Sequence, residues 1–153
     1  MSPLSRRTVL TLGGTALCTG LAGCATLGEA SPADTRLHEL TVANHESEPH
    51  TVHVLLLEDG EPVYMASREV EGRTDPDRVP GGEFEGYPTE AGSYVLYAWR
   101  DDQPRPEWRR FDFSEYDVDC VEIAIHVGMG DVPDSYVSIW RSFNCASGGS
   151  DAN

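Results

Sequence analysis

The chain has 153 residues and a formal net charge of −15, carried by 26 acidic residues against 11 arginines and no lysine. Such an acidic surface would repel nucleic acid and anionic lipid head groups, because binding either one requires cations that neutralise phosphates. The length suits one domain with a single hydrophobic core.

Residues 1–23 have the features of an export signal. Arg6 and Arg7 precede an uncharged, weakly apolar stretch that ends in the sequence LAGC at residues 21–24. A charged start, a short apolar run and small residues before a cleavage site are typical of signal peptides. The segment resembles a twin-arginine signal peptide of the lipoprotein type. That resemblance implies that the translocase reads Arg6 and Arg7 and that Cys24 carries the lipid.

A retained transmembrane helix is the alternative for this segment. Residues 8–28 carry no charge and are numerous enough to span about 30 Å of hydrocarbon. Glycine and threonine recur through the stretch, however, and both are poor helix formers. The sequence therefore favours a protein held at the outer face of the cell membrane through a lipid on Cys24.

Composition divides the rest of the chain into three parts. Residues 24–35 are small, polar and proline-containing, which predicts a tether between the lipid and the domain. Residues 147–153 are rich in glycine and serine, which predicts a disordered tail. The domain is expected to span residues 36–146.

Within the domain, short runs of β-branched and aromatic residues alternate with turn signals, which predicts strands. The predicted strands are 37–43, 51–57, 63–70, a short one at Phe84, 93–99, 108–113, 119–127 and 136–143. The second run is apolar on both faces, as in a central strand, and Asp59-Gly60 predicts a tight hairpin after it. Residues 71–82 are expected to form an acidic loop. Seven or eight strands without a helix predict an all-β fold, an antiparallel β-sandwich.

Two stretches resemble known families. Residues 89–94, TEAGSY, resemble the turn-into-strand element of immunoglobulin-like domains, in which the tyrosine packs at a corner. Residues 44–54 resemble a strand-turn-strand of secreted β-sandwich lipoproteins of halophilic archaea, and the use of arginine and acid without lysine is similar in composition. The resemblance implies an immunoglobulin-like sandwich and an extracytoplasmic address, and it brings no assigned activity.

A saline environment would explain the acidity of the chain. Hydrated carboxylates keep a surface wet in concentrated salt, and screening over about 3 Å at 1 M ionic strength removes their mutual repulsion. We therefore expect the domain to lose stability in dilute buffer.

Cys120 and Cys145 flank the last two predicted strands. Outside the cytoplasm a pair of thiols tends to oxidise, so the sequence predicts a disulfide between them. Free thiols or a shared metal ion are the alternatives.

Three histidines, at positions 45, 50 and 53, lie beside Glu46 and Glu48, a composition that suits zinc. Side chains three apart on a strand point to opposite faces, so His50 and His53 could share an ion only across a turn. They remain weak candidates for a metal site, and the prediction is that no metal is bound.

A copper site is a further alternative, because Cys120, His126 and Met129, with His53 upstream, resemble the ligands of cupredoxins. One continuous strand would place Cys120 and His126 about 20 Å apart, whereas copper ligands must meet at one ion. The spacing therefore argues against copper.

Carboxylates on loops 71–77 and 131–134 suggest calcium, but neither stretch matches the twelve-residue calcium loop. The chain has no nucleophile-elbow, phosphate-loop or dinucleotide motif, so no enzyme and no cofactor are predicted. An unrecognised hydrolase remains the third alternative.

The aromatic residues at strand spacing fit either the core between two sheets, which the pattern favours, or a binding surface. They are Tyr94, Tyr97, Trp99, Trp108, Tyr136 and Trp140. The sequence thus predicts a membrane-anchored extracytoplasmic β-sandwich that is a binding or structural module of the cell envelope. An envelope protein is one candidate partner, and a small copper-, zinc- or calcium-binding envelope protein is the alternative function.

Overall fold

The computed structural model describes residues 34–130 and 136–145. Nine strands form in these ranges: β1 Thr35–Asn44, β2 His50–Glu58, β3 Glu61–Val70, β4 Gly81–Glu83, β5 Ala91–Gly92, β6 Tyr94–Arg100, β7 Arg109–Asp112, β8 Cys120–Val127 and β9 Val137–Ser142. Two single-turn 3₁₀ helices, Arg105–Glu107 and Phe113–Glu115, flank β7. The count exceeds the expected seven or eight because the two-residue β5 is a separate strand.

The strands form two sheets that pack face to face. The first sheet has the order β4-β1-β8-β9, with β5 also paired to β1, and the second has the order β3-β2-β6-β7. The all-β sandwich is therefore confirmed, and β2 is a central strand as its apolar sequence predicts.

The pairing is antiparallel throughout the two sheets except at one place. β1 runs parallel to β8, with Leu40 opposite Ile123 and Val42 opposite Ile125. Antiparallel direction is imposed where a short hairpin joins two strands. The chain between β1 and β8 instead passes through the entire second sheet, so no hairpin fixes the relative direction of the two strands.

The turn between β2 and β3 confirms the predicted hairpin. Asp59 and Gly60 adopt φ angles of 50° and 81°, and Glu58 pairs with Glu61 across the turn. Two consecutive positive φ values define the tight turn whose twist matches that of the flanking strands. Asp and Gly are the residue types that tolerate this backbone.

The core lies between the two sheets and consists of the inward side chains of every long strand. Its fully enclosed members include Leu37, Leu40, Val52, Val54, Leu56, Leu96, Phe113, Val121, Ile123, Ile125, Val127 and Val137. A register shift between Leu37 and Glu39 keeps both Leu37 and Leu40 pointing inward despite their odd spacing. Such a bulge resets the alternation of a strand.

The tyrosine corner expected at residues 89–94 is present. Tyr94 is 2% exposed, its hydroxyl donates a hydrogen bond of 3.2 Å to the carbonyl of Glu90, and its ring meets Phe113 edge-on at 5.7 Å. The corner joins the short β5 to β6 at the start of the second sheet's inner face. Tyr94 is therefore core, as the strand spacing favoured.

Two predicted boundaries need correction. Thr35 belongs to β1 and is 1% exposed, so the tether cannot extend to it. Its hydroxyl donates to the carbonyl of Val118, which ties the start of β1 to the chain entering β8. The short strand expected at Phe84 is β4, which ends one residue earlier, at Glu83. Phe84 follows the strand, and its ring packs in the core.

In the part of the chain that the structure describes, no helix has the length and apolar character needed to cross a membrane.

Candidate functional site

The outer face of the second sheet is apolar and aromatic. Strand alternation places Leu55 and Leu57 of β2, Tyr97 and Trp99 of β6, and Met65 of β3 on the side away from the core. Together with His53 and Trp108, these residues form what is called here the aromatic face. Met65 is 64% exposed, and Val63 beside it is 41% exposed. Leu55, Leu57 and Tyr97 on this face are half-buried, whereas Trp99 is 7% exposed.

Four side chains stack in a row across the aromatic face. The rings of His53 and Trp99 lie 5.2 Å apart, and Trp99 and Trp108 lie 3.7 Å apart with their planes inclined by 6°. The guanidinium of Arg105 completes the row at 5.4 Å from the Trp108 ring. Trp108 is held in place because its indole N–H donates to the carbonyl of Gln103 at 2.9 Å. Trp99 is therefore buried by Trp108 and not by the opposite sheet.

A hollow of about 440 Å³ opens beside this stack. Its walls are Leu55, Leu57, Gly60, Pro62, Tyr97, Arg105 and Trp108. Within the described residues, Arg105 contacts Trp108 and forms no ion pair. The apolar hollow thus has one cation at its rim.

The other tryptophan and tyrosine candidates lie elsewhere. Trp140 is on the outer face of the first sheet and is 51% exposed. Tyr136 lies before β9 under the guanidinium of Arg109, at 4.7 Å. Of the six aromatic candidates, the structure thus gathers Tyr97, Trp99 and Trp108 on one surface, and it places Tyr94 in the core.

A polar cluster closes one end of the sandwich. His50 lies between two carboxylates, with Nε2 2.8 Å from Glu46 Oε2 and Nδ1 2.8 Å from Asp101 Oδ2. Arg100 Nη1 also donates to Glu46 Oε2 at 2.8 Å. Asp101 Oδ1 accepts a hydrogen bond from the backbone N–H of Thr51.

The surroundings shift the titration of both acids. Partial burial by itself would raise the pKa of Glu46, but Arg100 and His50 hold that pKa below its usual value. Partial burial by itself would also raise the pKa of Asp101, but the Thr51 N–H and His50 hold that pKa below its usual value. Both carboxylates are therefore ionised at neutral pH, and the cluster ties the loop before β2 to the end of β6.

His50 and His53 do not share a site. His50 belongs to the polar cluster, whereas His53 lies on the aromatic face, where Nδ1 is 2.6 Å from the hydroxyl of Ser67. Their separation follows from strand alternation. Nowhere in the ranges 34–130 and 136–145 do three or more His, Cys, Asp or Glu side chains gather as metal ligands usually do.

The disulfide between Cys120 and Cys145 is present, with a Cα–Cα distance of 6.3 Å. It joins the first residue of β8 to the segment after β9 and so confirms the predicted pair. The same bond removes Cys120 from any copper site. His126 contacts His45 instead of His53, so the cupredoxin-like set is not brought together.

The remaining candidates fall outside the site or outside the described residues. In the acidic loop, Asp75 Oδ1 accepts a hydrogen bond from the backbone N–H of Asp77, which is a contact within the loop itself. Arg6, Arg7 and Cys24 lie outside the described ranges, as do residues 131–134 and the tail at 147–153.

Comparison of the chain with protein-family models, curated proteins and solved structures found no match.

Sequence reasoning missed two sets of residues. The outward Leu55 and Leu57 were signalled by the apolar character of β2 on both faces, which also fits a buried strand. The contact between His45 and His126 had no local signal, because the two residues are 81 positions apart.

Proposed function

We propose that this protein is an extracytoplasmic β-sandwich that a lipid on Cys24 anchors to the outer face of the cell membrane, and that it binds a protein of the cell envelope through its aromatic face. The address is supported by the sequence alone, through Arg6, Arg7 and the LAGC motif. The observation that carries the binding role is the uncovered apolar surface around the 440 Å³ hollow.

An uncovered apolar surface is unusual in a chain this acidic. Single exposed apolar side chains are normal, but contiguous ones mark sites of interaction. Here Met65 lies opposite Leu55 on the β2–β3 pair, Val63 is two residues from Met65 on the same strand, and Leu55 also lines the hollow. A protein with a purely structural role in the envelope would have no need of an exposed apolar surface.

The shape of the surface favours a protein side chain over a sugar. A sugar ring binds by lying flat on an open aromatic ring, and the facing sides of Trp99 and Trp108 are occupied by each other. The hollow instead offers leucine and proline walls that fit an apolar side chain. Arg105 at its rim would pair with a carboxylate next to that side chain.

High salt would reinforce this mode of binding. Screening weakens exposed ion pairs, whereas excluded salts strengthen the burial of apolar surface. An apolar contact is therefore the more dependable basis for recognition by a halophilic surface protein.

Photo-crosslinking in the native host tests the binding role. A photo-crosslinking amino acid at Met65, which is 64% exposed, is expected to give one discrete adduct in intact cells. The same group at Trp140, on the opposite sheet, is the control and is expected to give none. Leu55→Asp should abolish the adduct from position 65 without changing the amount of protein at the surface. Identical adducts from both positions, or an adduct that survives Leu55→Asp, would refute the role of the aromatic face.

Cell fractionation tests the address separately. Cys24→Ala is expected to move the protein from the membrane fraction to the medium, and replacement of both Arg6 and Arg7 by lysine should keep it inside the cell. Cys18→Ala is the matched control, since Cys18 lies within the signal but outside the LAGC motif. Retention of Cys24→Ala in the membrane fraction would contradict the lipid anchor.

A further inference from the structure

His45 and His126 meet on the outer face of the first sheet, opposite to the aromatic face. In the parallel pair of β1 and β8, Ala43 lies next to His126, and the N–H of His45 continues the ladder by donating to Val127 at 2.9 Å. Alternation therefore projects both imidazoles from the same side. His45 Nε2 lies 3.0 Å from His126 Nδ1, with the ring centroids 5.2 Å apart.

We propose that His45 and His126 form a two-histidine site for a divalent ion of the copper, nickel and zinc group. Two imidazole nitrogens bound at about 2.0–2.1 Å and at the right angle of tetragonal Cu²⁺ or Ni²⁺ would be about 2.8–3.0 Å apart, and on tetrahedral Zn²⁺ they would be about 3.3–3.4 Å apart. The observed separation of 3.0 Å equals the right-angle spacing, and it is at present a hydrogen bond in which one ring N–H points at the other ring nitrogen. An ion would therefore displace the shared proton, and both rings would turn to aim their nitrogens at it.

Space for the other ligands of the ion lies on the His126 side of the pair. A hollow of about 280 Å³ on the same sheet face is lined by His126 and Trp140 and not by His45. The Trp140 ring meets the His126 ring in a T-shaped contact at 5.7 Å. The protein would supply two nitrogens and water the remaining ligands, so the site is open and of modest affinity.

The ligand type selects the metal. Neutral imidazoles suit copper, nickel and zinc, whereas calcium and magnesium prefer oxygen ligands. Within the first group the general order of stability puts Cu²⁺ ahead of Ni²⁺ and Zn²⁺. The site lies on the opposite sheet from the aromatic face. A test of metal binding is therefore independent of a test of the proposed protein partner.

Titration of the purified full-length chain with Cu²⁺ at neutral pH tests the site. Electron paramagnetic resonance is expected to show one bound ion per chain, with hyperfine splitting from two imidazole nitrogens. His45→Gln and His126→Gln should each weaken binding at least tenfold, because each removes one of the two protein ligands. His53→Gln is the matched control and should bind as the wild type does. Equal affinity in all three variants, or a copper spectrum without nitrogen ligands, would overturn the proposal.

A measurement on the wild-type protein covers the case in which a variant does not fold. Addition of Zn²⁺ should shift the imidazole resonances of His45 and His126 in nuclear magnetic resonance spectra and leave those of His38 and His53 in place. Shifts of other histidines, or of none, would contradict the site.

Discussion

The indole rings of Trp99 and Trp108 lie 3.7 Å apart and are parallel to within 6°, although neither faces the core between the sheets. Trp99 projects from the outer face of β6, and Trp108 follows a 3₁₀ turn that returns the chain over it. The Pro104–Pro106 segment thus has a defined structural role. It places Trp108 over Trp99, and the hollow opens beside the stacked rings.

Trp108→Ala should uncover Trp99 and destabilise the domain by about 2 kcal/mol, through lost burial and lost stacking. Chemical unfolding would measure the loss, and the exciton-coupled band of the stacked indoles should disappear from the circular dichroism spectrum. Trp140→Ala is the control. Because Trp140 is 51% exposed, its removal should change stability by less than about 0.5 kcal/mol. An exciton band that persists in Trp108→Ala would contradict the stack.

The disulfide should stabilise the domain mainly by restricting the unfolded chain. Cys120 and Cys145 are 25 residues apart, and closing a loop of that size is worth about 3 kcal/mol. Replacing both by serine should lower the free energy of unfolding by that amount and leave the far-ultraviolet spectrum unchanged. Treatment of the wild type with a reductant should have the same effect, and it should have none on the double variant.

Tyr94→Phe should remove the hydrogen bond to Glu90 and keep the packing of the ring. The expected loss is about 1 kcal/mol, the usual net value of a hydrogen bond in a folded protein. Tyr116→Phe is the matched control, because the described residues give the Tyr116 hydroxyl no hydrogen bond. Equal losses in the two variants would show that the corner makes no specific contribution.

The strands were largely predictable because their signals are local. Alternation in β1, β6 and β8, and the Asp59-Gly60 turn, depend on residues a few positions apart. The disulfide was predictable for a similar reason, since only two cysteines follow Cys24 in the sequence. The parallel direction of β1 was not predictable, because no local connection between β1 and β8 fixes it.

The candidate sites were predicted poorly because they join distant parts of the chain. Leu55 and Trp108 line the same hollow only because β2 pairs with β6 and the chain turns back after β6. His45 was grouped with His50 and His53 by sequence, whereas the fold pairs it with His126. Grouping residues by their proximity in sequence selected the right residue types but predicted the wrong contacts between them.

Acid should destabilise the domain partly through Asp101. Because its pKa in the folded state lies below the usual 3.8, its contribution to stability is complete above that pH and is lost as pH falls through the folded value. Asp101→Asn should therefore lower stability at neutral pH, have little effect in strong acid, and flatten the acid limb of the stability curve.

Asparagine is the right replacement at this position. The φ angle of Asp101 is +48°, a backbone that Asn also tolerates, and the amide oxygen can still accept from Thr51. Asp102→Asn is the matched control on an exposed neighbour and should keep the wild-type acid limb. If Asp101→Asn showed the same acid limb as the wild type, the His50 contact would have no part in acid unfolding.

The domain should be stabilised by molar salt, and the fold identifies where the repulsion lies. Glu39 lies opposite Glu122 between β1 and β8, and Glu58 lies opposite Glu61 between β2 and β3. Like charges directly opposite on paired strands are destabilising, and salt screens them. The melting temperature should therefore rise between dilute buffer and molar potassium chloride. Glu122→Gln should raise it in dilute buffer and reduce its dependence on salt, whereas Glu85→Gln, outside any strand, should do so less. A melting temperature independent of salt would contradict both the local repulsion and the saline adaptation inferred from composition.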